Sequence, residues 1–178
     1  MNDKIRGLYN GYTTVINLLL NLQIIGCKHI GISMTVSDDN YEEVLDMYDY
    51  CHRHGFEFAT GAVHNSFFFE STDNTIQNKK EISETFIELA KRMRKEGTLK
   101  DKYRAIFNEE LAKYVNGQEI SFPCQAGKGF FAVSPYGDIM ACVGSEQPEV
   151  MGHLFNDFWE VWNSEKAQKI REKCTACT

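Results

Sequence analysis

Four of the six cysteines, Cys124, Cys142, Cys174 and Cys177, lie in the last third of a 178-residue chain. Cys174 and Cys177 form a C-x2-C pair, which lets two thiolates chelate one metal at little loop-closure cost. Cys124 and Cys142 are separated by seventeen residues and stand at the two ends of a segment that reads as a β-hairpin, a fold that brings distant residues side by side. Four thiolates suit tetrahedral zinc and equally suit an iron–sulfur cluster, since both centres are thiophilic. Spacing alone does not choose between them. The other two cysteines read as packing residues: Cys27 follows a helix-ending glycine, and Cys51 falls on the inner stripe of a helix.

Composition narrows the setting. With 43% hydrophobic residues the chain can bury a core, and its formal charge of −6 with a pI near 5.4 argues against a nucleic-acid surface, which needs a concentrated excess of Lys and Arg. Lys91, Arg92, Arg94 and Lys95 alternate with Glu88 and Glu96 at helical spacing and read as a solvated face. The longest apolar run, 15–20, is far below the roughly 20 residues of a membrane span, and residues 1–12 are polar where a secretory signal would be apolar. A cytoplasmic protein is the expectation, in which reduced thiols are available to metals.

The elements that position the cysteines follow from periodicity. Val15, Leu18, Leu19, Leu22 and Ile25 recur at helical steps over 11–25, ended by Gly26. Residues 29–36 form a short β-branched run expected of a strand buried on both faces. Asn40 is placed to cap a helix over 41–54, with Glu42 and Glu43 favourable to its dipole, Val44, Leu45, Met47, Tyr48 and Cys51 inward, and Gly55 as its stop. Residues 56–63 give a second strand. Helix, strand, helix, strand with short links is the pattern of a parallel sheet in an α/β domain, and two apolar strands cannot cover their own edges. The first part therefore reads as a piece of a larger sheet or barrel.

An irregular stretch over 64–78 holds Phe67, Phe68 and Phe69, and helices follow over 80–95, with Ile82, Phe86, Leu89, Ala90 and Met93 inward, and over 100–115. Asn116 and Gly117 mark a boundary between domains 1–117 and 118–178. Beyond it, 130–134 and 138–143 alternate around Pro135-Tyr136-Gly137 as a hairpin, and 156–173 reads as one final helix with Phe158, Trp159 and Trp162 for a core. His64 and Asn65 leave the second strand where an α/β barrel opens toward its substrate, which makes them candidate substrate contacts. His52 and His54 point to different faces of their helix and do not form a ligand set with Cys51.

The cysteine module resembles a known family. Cys124, Gly137 after twelve residues and Cys142 after four more resemble the C-x9–15-G-x4-C opening of the SPASM and twitch domains that follow the barrel of radical S-adenosylmethionine enzymes. The run from Phe131 to Cys142 looks like that family's V-x-P-x-G-x-(I/V)-x-x-C hairpin, Met151-Gly152-His153-Leu154 like its (I/L)-G-N-L strand, and Arg171-Glu172-Lys173-Cys174 like its closing C-x-x-C. The first hundred residues resemble the later part of the same enzymes' partial (β/α)6 barrel, with Gly31-Ile32-Ser33-Met34-Thr35-Val36 as a fifth strand and Phe56-Glu57-Phe58 in a sixth.

The resemblance implies an α/β barrel fragment, followed by a small α+β domain with a β-hairpin and a C-terminal helix. Its cysteines Cys124, Cys142, Cys174 and Cys177 would bind an auxiliary cluster, most simply one 4Fe-4S centre as in a twitch domain, whereas a full SPASM domain divides the same four between two clusters; zinc is the alternative occupant. The family's catalytic C-x3-C-x2-C has no counterpart among the six cysteines, so S-adenosylmethionine would belong to a full-length parent, and this chain alone is expected to be inactive. The missing barrel half, or another copy of the chain, is the expected partner. No residue is assigned a catalytic role, and neither nucleic acid nor membrane is an expected partner.

Overall fold

The computed structural model describes residues 2–65, 73–144 and 148–174, so Phe67, Phe68, Phe69 and Cys177 lie outside the described residues. The chain divides into two compact units. The first comprises Met1–Val63 and Ile76–Gln118; the second comprises His64–Thr75 and Glu119–Thr178. The division is not a single cut in sequence.

The first unit opens with α1 (Asn2–Arg6) and α2 (Gly11–Ile24), then runs β1 (Gly31–Val36), a 3-10 turn (Tyr41–Glu43), α3 (Val44–His54), β2 (Glu57–Ala62), α4 (Lys79–Glu96) and α5 (Leu99–Val115). β1 and β2 pair in parallel, with Ile32 opposite Phe58 and Val36 opposite Ala62. Phe58, Thr60 and Ala62 are buried, and the core they enter is built from Val44, Tyr48 and Cys51 of α3 with Ile82, Phe86, Leu89, Ala90 and Met93 of α4. The helical stripe read over 80–95 is thus the buried face of α4. Asn108 of α5 is also buried, and its carbonyl oxygen accepts from Thr60 Oγ1 at 2.6 Å while its amide donates to the Arg104 carbonyl at 2.9 Å. The sheet is thereby tied to α5 by a satisfied polar contact rather than by an orphaned one.

Three expectations for this unit are corrected. β1 is not buried on both faces: Ile32, Met34 and Val36 turn toward the core, but Gly31, Ser33 and Thr35 are exposed. A continuous apolar run is ambiguous between one and two buried faces, and here small polar residues occupy the alternate positions. Asn40 does not cap the following helix. Its side chain reaches back instead, donating to the Thr35 carbonyl and accepting from the Ser37 N–H, each at 2.9 Å, so it fastens the end of β1. Cys27 is exposed and packs no core.

On α2, Leu19, Leu20 and Leu22 rest against the core, but Val15 and Leu18 are more than half exposed and Ile25 is 75% exposed. The charges of α4 are neutralised locally, Arg92 by Asp49 at 2.9 Å and Arg94 by Glu109 at 2.7 Å. No described helix is long and apolar enough to cross a membrane.

The second unit contains β3 (Ala132–Val133), β4 (Asp138–Met140), β5 (Val150–His153), α6 (Phe158–Trp162) and α7 (Glu165–Cys174). The three strands form an antiparallel sheet in the order β3-β4-β5. Its core is Ile139, Ala141, Met151, Val161, Ala167 and Ile170, with Phe158 and Cys174 packed on its margin. Sequence periodicity joined 156–173 into one helix; the structure breaks it in two. The Asn163 amide bonds back to the Trp159 carbonyl at 2.8 Å, and the Ser164 hydroxyl accepts from the Ala167 N–H at 3.1 Å, so one helix is closed and the next is capped within two residues. Within α6, Trp159 is 66% exposed, and Val161 takes the buried place expected of it.

Cys51 allows a test of the first unit's packing. Burial pushes its thiol from 9.0 up to about 11, so the unfolded chain releases that proton first. The stabilisation from the neutral thiol is whole below pH 9 and disappears as pH rises from 9 to 11, by at most about 3 kcal/mol. Unfolding of the wild type and Cys51→Ala, followed by circular dichroism across pH 8 to 11, should show a steeper alkaline loss in the wild type.

Candidate metal centre

Cys142 follows a hairpin, β3-β4, that is set by a turn rather than by long strands, and Cys124 lies ahead of that hairpin in a loop of its own. Ser134 accepts through its hydroxyl from the N–H groups of Tyr136 and Asp138, at 3.2 and 3.0 Å, and its own carbonyl accepts from the Gly137 N–H at 2.9 Å. Gly137 adopts φ +91°, and a Cβ there would meet the His153 ring at 2.7 Å. Both reasons require glycine. His153 occupies that space to bond the Tyr136 carbonyl at 2.7 Å, and the Leu154 N–H donates to the Gly137 carbonyl at 2.9 Å, which locks the turn to the end of β5. Gly152 likewise admits α6, since a Cβ there would lie 2.6 Å from Val161.

Cys124 and Cys142 share a local geometry. The Ala126 N–H points at the Cys124 sulfur at 3.5 Å, and the Gly144 N–H donates to the Cys142 sulfur at 3.1 Å. In each case the donor is two residues beyond the cysteine. Each sulfur is thus faced by a backbone amide of its own local turn. Both cysteines are half-buried, as is Cys174, and none of the five described cysteines is in a disulfide. The donor set therefore fits a thiophilic centre in its chemistry.

Cys174 ends α7, and that helix is anchored by Arg171. The guanidinium donates through Nε to the Gly127 carbonyl at 2.6 Å and through a terminal nitrogen to the Trp162 carbonyl, and it lies over the Trp162 ring at 4.4 Å from the centroid. Gly127 sits in the tight loop that follows Cys124, where the Gln125 carbonyl accepts from the N–H groups of Lys128 and Gly129. One side chain thus connects the Cys124 loop to the helix that presents Cys174. Periodicity gave no sign of this contact, because an Arg one turn before a helix end reads as an ordinary dipole partner.

Among the described residues, no three His, Cys, Asp or Glu side chains come together as a group that could hold a metal ion. Cys124, Cys142 and Cys174 are in one unit without forming such a group, and Cys177 is outside the described residues. His64 also belongs to the second unit rather than to the one that contains the preceding strand. The Asn65 side chain accepts from the Asn74 N–H at 2.8 Å.

Residues 124–178 match the SPASM family model, described as an iron–sulfur cluster-binding domain. No curated protein and no solved structure matches the chain. The matched segment begins at Cys124 and spans all four candidate ligands.

Arg171→Ala should destabilise the second unit by roughly 2–4 kcal/mol, the combined range for charged hydrogen bonds and a cation–π contact. Arg171→Lys should recover less than half of that, since an ammonium cannot span both carbonyls in the plane of the indole. Urea unfolding followed by tryptophan fluorescence measures both.

Proposed function

We propose that the second unit holds one auxiliary 4Fe-4S cluster through Cys124, Cys142, Cys174 and Cys177, and that the chain is the C-terminal portion of a radical S-adenosylmethionine enzyme. The observation that carries this reading is the family match over 124–178, which encloses these four cysteines. When bound, such a cluster supplies one-electron chemistry or an anchoring point near the reaction. The chain's own residues do the holding: the hairpin turn at Gly137 sets Cys142 beyond β4, the Gln125 to Phe130 loop sets Cys124, and Arg171 fixes α7 before Cys174.

The first unit supports the barrel reading through its asymmetry. One face of the β1-β2 pair packs on helices, while the other carries Gly31, Ser33, Thr35, Ala59 and Gly61, small or polar residues with no core of their own. Such a face suits the inner wall of a barrel, where substrate and cofactor need room. Within the described residues, each strand also keeps one edge without a strand neighbour. A complementary barrel half is the proposed partner for those edges, because unpaired N–H and C=O groups beside apolar side chains invite another strand.

Two outcomes test the proposal. Anaerobic reconstitution with iron and sulfide should give a brown protein with about four irons per chain, and Cys142→Ser should lose most of that iron while Cys51→Ala keeps it; a colourless protein that takes up only zinc would replace the cluster with a structural site. Incubation of the reconstituted chain with S-adenosylmethionine and dithionite should yield no 5′-deoxyadenosine, because four cysteines filling one cluster leave no open iron for the cofactor. Product above a free-iron control, lost in Cys124→Ser, would refute the auxiliary assignment.

A further inference from the structure

His64 follows β2 in sequence but belongs to the unit that contains the cysteines. Its backbone is held in place: Asn74 Nδ2 donates to the His64 carbonyl at 3.0 Å, and the adjacent Asn65 side chain receives the Asn74 N–H at 2.8 Å. The imidazole is exposed, and its Nε2 edge borders the space over Gly144. A methyl group added to Gly144 would lie 3.8 Å from His64 Nε2 and 3.6 Å from the Cys142 sulfur. The ring and the sulfur therefore border the same methyl-sized space, which the absence of a side chain at residue 144 leaves open. Gly144 meanwhile directs its N–H onto that sulfur at 3.1 Å.

A metal-bound thiolate keeps negative charge and accepts more than one hydrogen bond. Each donor draws charge from the sulfur, which favours the reduced state of the metal centre and slows loss of the ligand. In its Nε2–H tautomer, histidine is such a donor, and its second nitrogen stays available as an acceptor. We infer that His64 is a positioning residue of the metal centre, its Nε2–H donating to the metal-bound sulfur of Cys142 as a second donor beside the Gly144 amide; this rests on the iron–sulfur reading above. It assigns His64 to the cluster rather than to substrate.

The test uses the full chain, reconstituted anaerobically with iron and sulfide, as wild type, His64→Leu, His64→Gln and Cys142→Ser, with folding checked by circular dichroism. His64→Leu should retain its cluster but be reduced at a more negative midpoint potential, and it should yield iron to a chelator roughly 10-fold more readily. His64→Gln, whose side-chain amide can donate from a similar place, should recover most of both losses. The inference is overturned if His64→Leu matches the wild type in potential and chelator resistance, or if His64→Gln is as impaired as His64→Leu. A nitrogen coupling in pulsed EPR that disappears in His64→Leu would also overturn it, by making His64 a direct ligand. If Cys142→Ser keeps its full iron, the cluster reading itself fails at that position and takes this inference with it, a result distinct from the others.

Discussion

The second unit depends on the contacts of one guanidinium. Among the described residues its core cluster has six buried members, none aromatic, and a core of that size rarely stabilises a domain unaided. Arg171 compensates by bonding two carbonyls that no secondary structure satisfies, those of Gly127 and Trp162, and by covering the Trp162 ring. The consequences run outward from that point. With α7 fixed to the loop after Cys124, the chain direction at Cys174 is set, and the hairpin needs only its own turn to place Cys142.

This arrangement gives each cysteine a local setting of its own. The sulfurs of Cys124 and Cys142 each face an amide from two residues downstream. A metal held by these cysteines would add its binding free energy to the stability of the unit, as in other small domains with thin cores. The first unit follows a different logic. Its stability comes from the apolar face of α4 and the buried Thr60–Asn108 contact, and the other face of β1 exposes Gly31, Ser33 and Thr35.

Much of this was legible in the residues because strong periodicity has few physical solutions. The stripe Ile82, Phe86, Leu89, Ala90, Met93 has a helical period and no competing reading, and the parallel pairing of two short strands follows from the helix between them. Gly137 was legible for a similar reason, since a proline-containing turn followed by glycine demands a positive φ. The misreadings came from residues whose polar groups had a choice. Asn40 could cap forward or bond backward, and the end of β1 offered it two partners; Ser164 could continue a helix or begin one, and its hydroxyl began one. Likewise, β1 has an apolar look in sequence because Ile, Met and Val outweigh Gly, Ser and Thr in any average, although the two sets face opposite sides. The contact of Arg171 with Gly127 and the closeness of His64 to Gly144 carried no periodic signal, because each joins segments more than forty residues apart.

The central claim is that sulfur from this chain, and in particular from Cys124, Cys142, Cys174 and Cys177, encloses one iron–sulfur centre. X-ray absorption at the iron edge of the reconstituted full chain addresses it directly, since it reports the atoms bound to iron. The account predicts a first shell of sulfur alone at about 2.3 Å, with an iron neighbour beyond it. A first shell of nitrogen and oxygen with no iron neighbour would contradict it.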